Sequence, residues 1–95
     1  MMKTVKIEVQ QVEGEGLVSL LGENVVLFCM NYIYAGKLIG VNDTCVLLQN
    51  PGVVYETGPF SSASFKDFQP LGVEEHYVMV SAIESFGETK KLSDA

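Results

Sequence analysis

Between Val25 and Tyr55 the chain carries only two charged residues, Lys37 and Asp43. A stretch this long and this uncharged must be buried on both faces of a sheet or covered by a neighbouring subunit. The chain has 95 residues, enough for one domain, and a single domain of that size has too little interior to bury the whole stretch. The sequence therefore predicts one domain that hides part of its apolar surface against another molecule.

The charge balance restricts what that other molecule is. Twelve acidic residues stand against six basic ones, which gives a net charge of -6, and every basic residue is a lysine. Strong binding to nucleic acid or anionic lipid usually needs clustered lysine and arginine, and arginine offers phosphate a two-pronged hydrogen bond. Composition thus argues against charge-driven binding of either kind. The apolar runs are also shorter than the roughly 18 residues that predict a membrane span, so we expect no membrane partner.

The order of apolar and polar residues predicts a mainly all-β domain. Residues 4–10 alternate strictly, which is typical of a half-buried extra strand, with a short helix as the alternative. Residues 17–21 are long enough for one or two helical turns, and Gly22 is suited to ending them. Further short strands are predicted at residues 25–30, 32–41, 44–49, 53–57, 76–80 and 83–86.

Glycines indicate that the sheet is strongly bent. Gly36 and Gly40 both lie inside the predicted strand at residues 32–41. A short sheet closes into a barrel only where a strand can kink or bulge, and glycine permits both. The sequence therefore predicts a small bent barrel of five or six strands.

Two connections are predicted from turn-forming residues. The sequence Asn50-Pro51-Gly52 predicts a tight turn that makes a hairpin of residues 44–57. Residues 58–72 contain two prolines and three serines, a composition that predicts an ordered but irregular loop. The aromatic anchors of that loop are Phe60, Phe65 and Phe68.

Several spaced residues resemble the first signature of the Sm and Hfq superfamily. They are Leu17-x-x-Leu20-x-Gly22, Val25-x-Leu27, Gly36-x-Leu38 and Asp43-x-x-Val46. Residues 77–85 are similar to the Hfq segment in which a Lys-His pair precedes Ala-Ile-Ser. The resemblance covers about residues 16–86, leaving an N-terminal extension at 1–15 and a polar tail at 87–95, and it is strongest to the divergent small Sm-like proteins of marine bacteriophages.

The resemblance implies a fold and an assembly. The implied fold is a short N-terminal helix followed by a strongly bent five-stranded SH3-like barrel. The implied assembly is a cyclic homo-oligomer. Subunits of the family pair the fourth strand of one copy with the fifth strand of the next, which removes exposed sheet edges. The residues that this implies at the interface are Val78, Val80, Ile83 and Phe86.

The resemblance also implies binding of single-stranded RNA around the pore, but the contact residues differ here. The family's base-stacking position falls on Cys45 and its base-bonding Asn position on Leu47, and neither side chain can do that work. If Asn42 takes the aspartate position instead, the two contacts fall on Thr44 and Val46, which are no better suited. The cation of the second signature is also missing.

Five residues remain as candidates for nucleic-acid contact in the pore loops: Asn42, Asp43, Thr44, Ser81 and Lys37. The first four offer hydrogen-bonding groups, and Lys37 would form a basic circle if repeated around a ring. The alternative is that Asn42 and Asp43 simply stabilise a turn, as these residue types commonly do.

No motif predicts catalysis or a bound cofactor or metal. The single histidine, His76, begins a strand without a nucleophile motif, metal spacing or phosphate loop around it. Cys29 and Cys45 lie in apolar runs and are expected to be free buried thiols, which with no secretory signal predicts a cytoplasmic protein. Two hypotheses follow: a non-catalytic Sm-like ring that binds RNA or single-stranded DNA, or a structural or protein-interaction ring with no nucleic-acid role.

Overall fold

The computed structural model describes residues 16–92. The strand predicted at residues 4–10 lies outside these residues. The strands are β1 (Asn24–Cys29), β2 (Ile33–Val41), β3 (Cys45–Glu56), β4 (Asp67–Pro70), β5 (Glu75–Met79) and β6 (Ile83–Glu88). Two 3-10 helices accompany them, the first at Leu17–Leu20 and the second, between β5 and β6, at Val80–Ala82. The predicted all-β class is confirmed.

All six strands pair antiparallel in one sheet, in the order β4-β3-β2-β1-β6, with β5 also paired to β3. β5 and β4 share one edge of β3, because β5 lies against residues 45–49 and β4 against residues 52–56. Within residues 16–92 the sheet is not closed, since no pairing joins β6 to β4 or β5.

The pairing of β2 with β3 is irregular near the two glycines that predicted a bend. The register shifts between Ala35 and Lys37, around Gly36, and again between Leu38 and Gly40. A Cβ atom at Gly36 would lie 3.1 Å from the Cα of Pro51, so the first bulge brings the two backbones very close. Each shift adds an unpaired residue to one strand, which bends and twists the sheet locally.

The predicted hairpin across residues 50–52 is wrong, because β3 runs through that segment as one strand of twelve residues. Asn50 takes a left-handed backbone conformation, with φ of 50°, and this forms a bulge instead of a reversal. Pro51 lacks an amide hydrogen, but its carbonyl accepts a hydrogen bond from Leu71 at 3.0 Å. The strand therefore continues, and its edge partner changes from β5 to β4 at this point.

The loop predicted at residues 58–72 contains a strand, β4, that was not predicted. The sheet still has six strands, because β3 replaces the two strands predicted at 44–49 and 53–57. Phe68 of β4 lies over the backbone of Gly52, and the rings of Phe65 and Phe68 stack at 6.4 Å. Phe60 is different, since 74% of its surface is exposed. Two of the three predicted aromatic anchors thus pack where β4 joins β3.

The core lies on the inner face of this bent sheet. Its buried members are Val25, Leu27, Leu38, Val46, Leu48 and Val78. The first 3-10 helix covers one side with Leu17 and Leu20, and it is shorter than an α-helix of two turns. Gly22 follows with φ of 90°, a conformation that glycine adopts without strain. Neither helix in the described part of the chain has the length and apolarity needed to cross a membrane.

Candidate nucleic-acid interface

The structure brings together the two segments that carry most of the predicted pore-loop residues. The backbone amide of Val80 donates a hydrogen bond to the carbonyl of Thr44 at 2.8 Å. The amide of Met30 donates similarly to Ala82 at 3.1 Å. The β2–β3 turn, the end of β1 and the second 3-10 helix with Ser81 therefore meet at one end of the sheet.

The side chain of Asn42 is occupied within its own turn. Its Oδ1 atom accepts hydrogen bonds from the amides of Thr44 at 2.8 Å and Cys45 at 2.9 Å, and from the Thr44 hydroxyl at 3.2 Å. This is an Asx turn, in which a short polar side chain replaces backbone partners. The turn-stabilising role predicted for Asn42 is thus observed. Its side-chain oxygen already accepts three hydrogen bonds.

The other four residues predicted to contact nucleic acid differ in their position and in their charge. Asp43, Thr44 and Ser81 are exposed, so two hydroxyl side chains and one carboxylate are accessible here. Lys37 lies apart, in the middle of β2, with Asn24 and Gln49 as its neighbours across the sheet. The structure therefore brings four of the five candidates together and leaves the only cation of the set elsewhere.

The four residues predicted at a subunit interface face mostly inward. Val78 is 4% exposed and belongs to the core, while Val80 and Ile83 are half-buried and pack against it. Phe86 on β6 is 41% exposed. An interface at these strands would therefore use backbone edges and outward side chains.

Sequence reasoning missed the outward side chains of β5. Tyr77 is 65% exposed and Met79 is 56% exposed. They lie directly opposite Leu47 and Cys45 of β3, so the four side chains share the outer face of the sheet. Strict alternation around the inward Val78 was the signal that could have identified them.

A row of aromatic rings lies at the start of β2. Tyr32 and Tyr34 have ring centroids 6.0 Å apart, and Tyr34 lies 5.8 Å from the ring of His76. Burial raises the pKa of the Tyr34 phenol, and the nearby Cys29 and Tyr32 raise it further. These contacts give the single histidine a packing role against Tyr34.

Neither cysteine forms a disulfide, and both are half-buried. Burial raises the pKa of the Cys29 thiol, which favours the unreactive protonated form. Across residues 16–92, no group of three or more His, Cys, Asp or Glu side chains is arranged to hold a metal ion.

Comparisons of the chain with models of protein families, with curated proteins and with solved structures give no match.

Proposed function

We propose that the chain is the subunit of an Sm-like cyclic homo-oligomer that binds RNA or single-stranded DNA at loops around its pore. The observation that carries the proposal is the hydrogen bond from Val80 to Thr44, because it joins the two loops that the family places at its pore. The order of elements also supports it: a short helix precedes the sheet, and the last strand returns to pair with β1. In this proposal the two bulges between β2 and β3 curve the sheet into a barrel that, within residues 16–92, stays open between β6 and the edge formed by β4 and β5.

The ring would close by pairing β5 of one copy with β6 of the next. In the described part of the chain, β5 is paired only to β3, and β6 only to β1, so each presents a further edge. The two strands have five and six residues, a matching length for antiparallel pairing. Tyr77 and Met79 would pack against the neighbouring copy, which would cover the apolar surplus of this small domain.

Nucleic-acid binding at the pore loops would be weak and mostly polar. The Ser81 hydroxyl can donate and accept hydrogen bonds, the Thr44 hydroxyl can accept one while its proton is donated to Asn42, and the Asp43 carboxylate repels phosphate. Repetition around a ring multiplies such contacts and raises the affinity for a strand that reaches several copies.

Fluorescence anisotropy with labelled oligo-U, oligo-A and single-stranded DNA tests the proposal. We expect weak binding that changes little as salt rises, because no cation lies at these loops to neutralise phosphates and release counterions. The double replacement of Thr44 and Ser81 by alanine should weaken binding, while Ser64→Ala, an exposed serine of the 58–72 loop, should not. Equal binding by all three proteins would contradict the pore-loop site.

A structural or protein-interaction ring is the second candidate, and the engaged Asn42 side chain favours it. The amide oxygen that would read a base is already used by the turn, and Lys37 is not at the loops. No nucleic-acid binding by an intact multimer at low salt would select this candidate over the first.

A further inference from the structure

The C-terminal segment contacts the tip of the long loop between β3 and β4. The ammonium nitrogen of Lys91 lies 5.9 Å from the centre of the Phe60 ring and 5.4 Å from the centre of the Phe65 ring. The same nitrogen is 3.4 Å from the carbonyl oxygen of Pro59, to which it donates a hydrogen bond. One charged group thus bridges three residues of a loop that is more than twenty residues away along the chain.

Both sides of this contact are attached to the sheet. On the C-terminal side, the amide of Thr89 donates to the carbonyl of Asn24 in β1 at 2.8 Å, and the Thr89 hydroxyl accepts from the amide of Lys91 at 3.1 Å. On the loop side, Phe65 stacks on Phe68, which packs over β3. Lys91 therefore connects the β1 end of the sheet to the β3–β4 edge.

We propose that the C-terminal segment is a clasp, in which the positive charge of Lys91 holds the 58–66 loop against the body of the protein. A cation above an aromatic face is attracted by the ring's negative face, and here two rings share one cation. Phe60 is 74% exposed, so little else holds the loop tip by burial. Removing the charge releases the loop while the sheet stays folded.

Hydrogen exchange at two loop amides tests the clasp. The amide of Ser62 donates to Pro59 at 3.0 Å and the amide of Lys66 donates to Thr57 at 3.3 Å, so both are protected only while the loop keeps its shape. Lys91→Met keeps the apolar stem and removes the charge, and we expect exchange at these amides to rise about fivefold. Lys91→Arg keeps the charge and should preserve the original protection.

The matched control is Lys37→Met, which removes one charge from an exposed position in the middle of β2, outside the 58–66 loop. Its loss should leave the loop unchanged. Amides of β1, such as that of Leu27, report on the whole fold. Four results would each overturn the clasp: unchanged exchange in Lys91→Met, an equal rise at Leu27, an equal effect of Lys37→Met, or failure of Lys91→Arg to protect.

Discussion

Gly52 in β3 has the least room for a side chain among the glycines of residues 16–92. A Cβ atom there would overlap Cζ of Phe68 and lie 2.8 Å from the backbone oxygen of Gln69. Gly52→Ala should therefore lower the free energy of unfolding by about 1–3 kcal/mol, because β4 must move away from β3. Gly87→Ala is the matched control, since nothing lies within 4 Å of its added atom. Urea denaturation at one protein concentration measures both, and equal midpoints would contradict the close packing.

Cys29 should be a slow nucleophile because burial raises its thiol pKa above the ordinary value of 9.0. In a Cys45→Ala variant, alkylation by iodoacetamide should be slower at pH 8 than that of a free cysteine peptide, and its rate should keep rising above pH 9. The folded protein holds this proton more tightly than the unfolded chain, so the associated stability is present below pH 9 and is lost as pH rises beyond it. Alkylation as fast as that of the peptide would contradict the shift.

The strands show what local sequence can and cannot determine. Alternation and β-branched residues located β1, β2, β5 and β6 within a residue or two at most ends, and the glycines of β2 indicated its bulges. The same reasoning failed across Asn50-Pro51-Gly52, because turn residues report only local backbone preference. Whether the chain reverses there depends on β4 and β2 flanking it on both sides, and pairing with distant strands leaves no local signal.

The candidate site was predictable to a similar degree. The resemblance placed Asn42, Thr44 and Ser81 in loops that the structure does bring together. It also grouped them with Lys37, which lies in the middle of β2, away from these loops. On β5, alternation places Tyr77 and Met79 on the face opposite to Val78, but only the packing of Val78 in the core shows which of the two faces is the outer one.

The β2–β3 turn should depend on the side-chain oxygen of Asn42. Asn42→Ala removes the acceptor for two backbone amides and should cost about 1 kcal/mol of unfolding free energy, as measured by thermal or urea unfolding. Asn42→Asp places a carboxylate oxygen where the amide oxygen lies, so the turn keeps its acceptor. The stability of this variant should stay close to that of the original protein. If both variants lose stability equally, the amide group is needed for something other than this turn.

The whole molecule combines a negative net charge of -6 with a large amount of exposed apolar surface. Tyr77, Met79 and Phe86 together bring three large apolar side chains to the surface of β5 and β6. A monomer with this surface would tend to associate, whereas a ring would bury it on every copy. Repulsion between copies of like charge would favour a closed assembly with a definite number of subunits over unlimited aggregation.

The last prediction is that the protein is a multimer held by the outer face of β5. Light scattering on a sizing column should give a mass several times that of the chain, and Met79→Lys should reduce it, because an ammonium group would be desolvated in the contact. Tyr55→Lys is the control, since Tyr55 is 62% exposed near the end of β3, beyond the residues that pair with β5. Val80 is a poorer position to replace, because it packs against the core and a charge there would also disturb folding. A folded monomer at micromolar concentration would contradict both ring hypotheses, and a multimeric Met79→Lys variant would place the contact elsewhere.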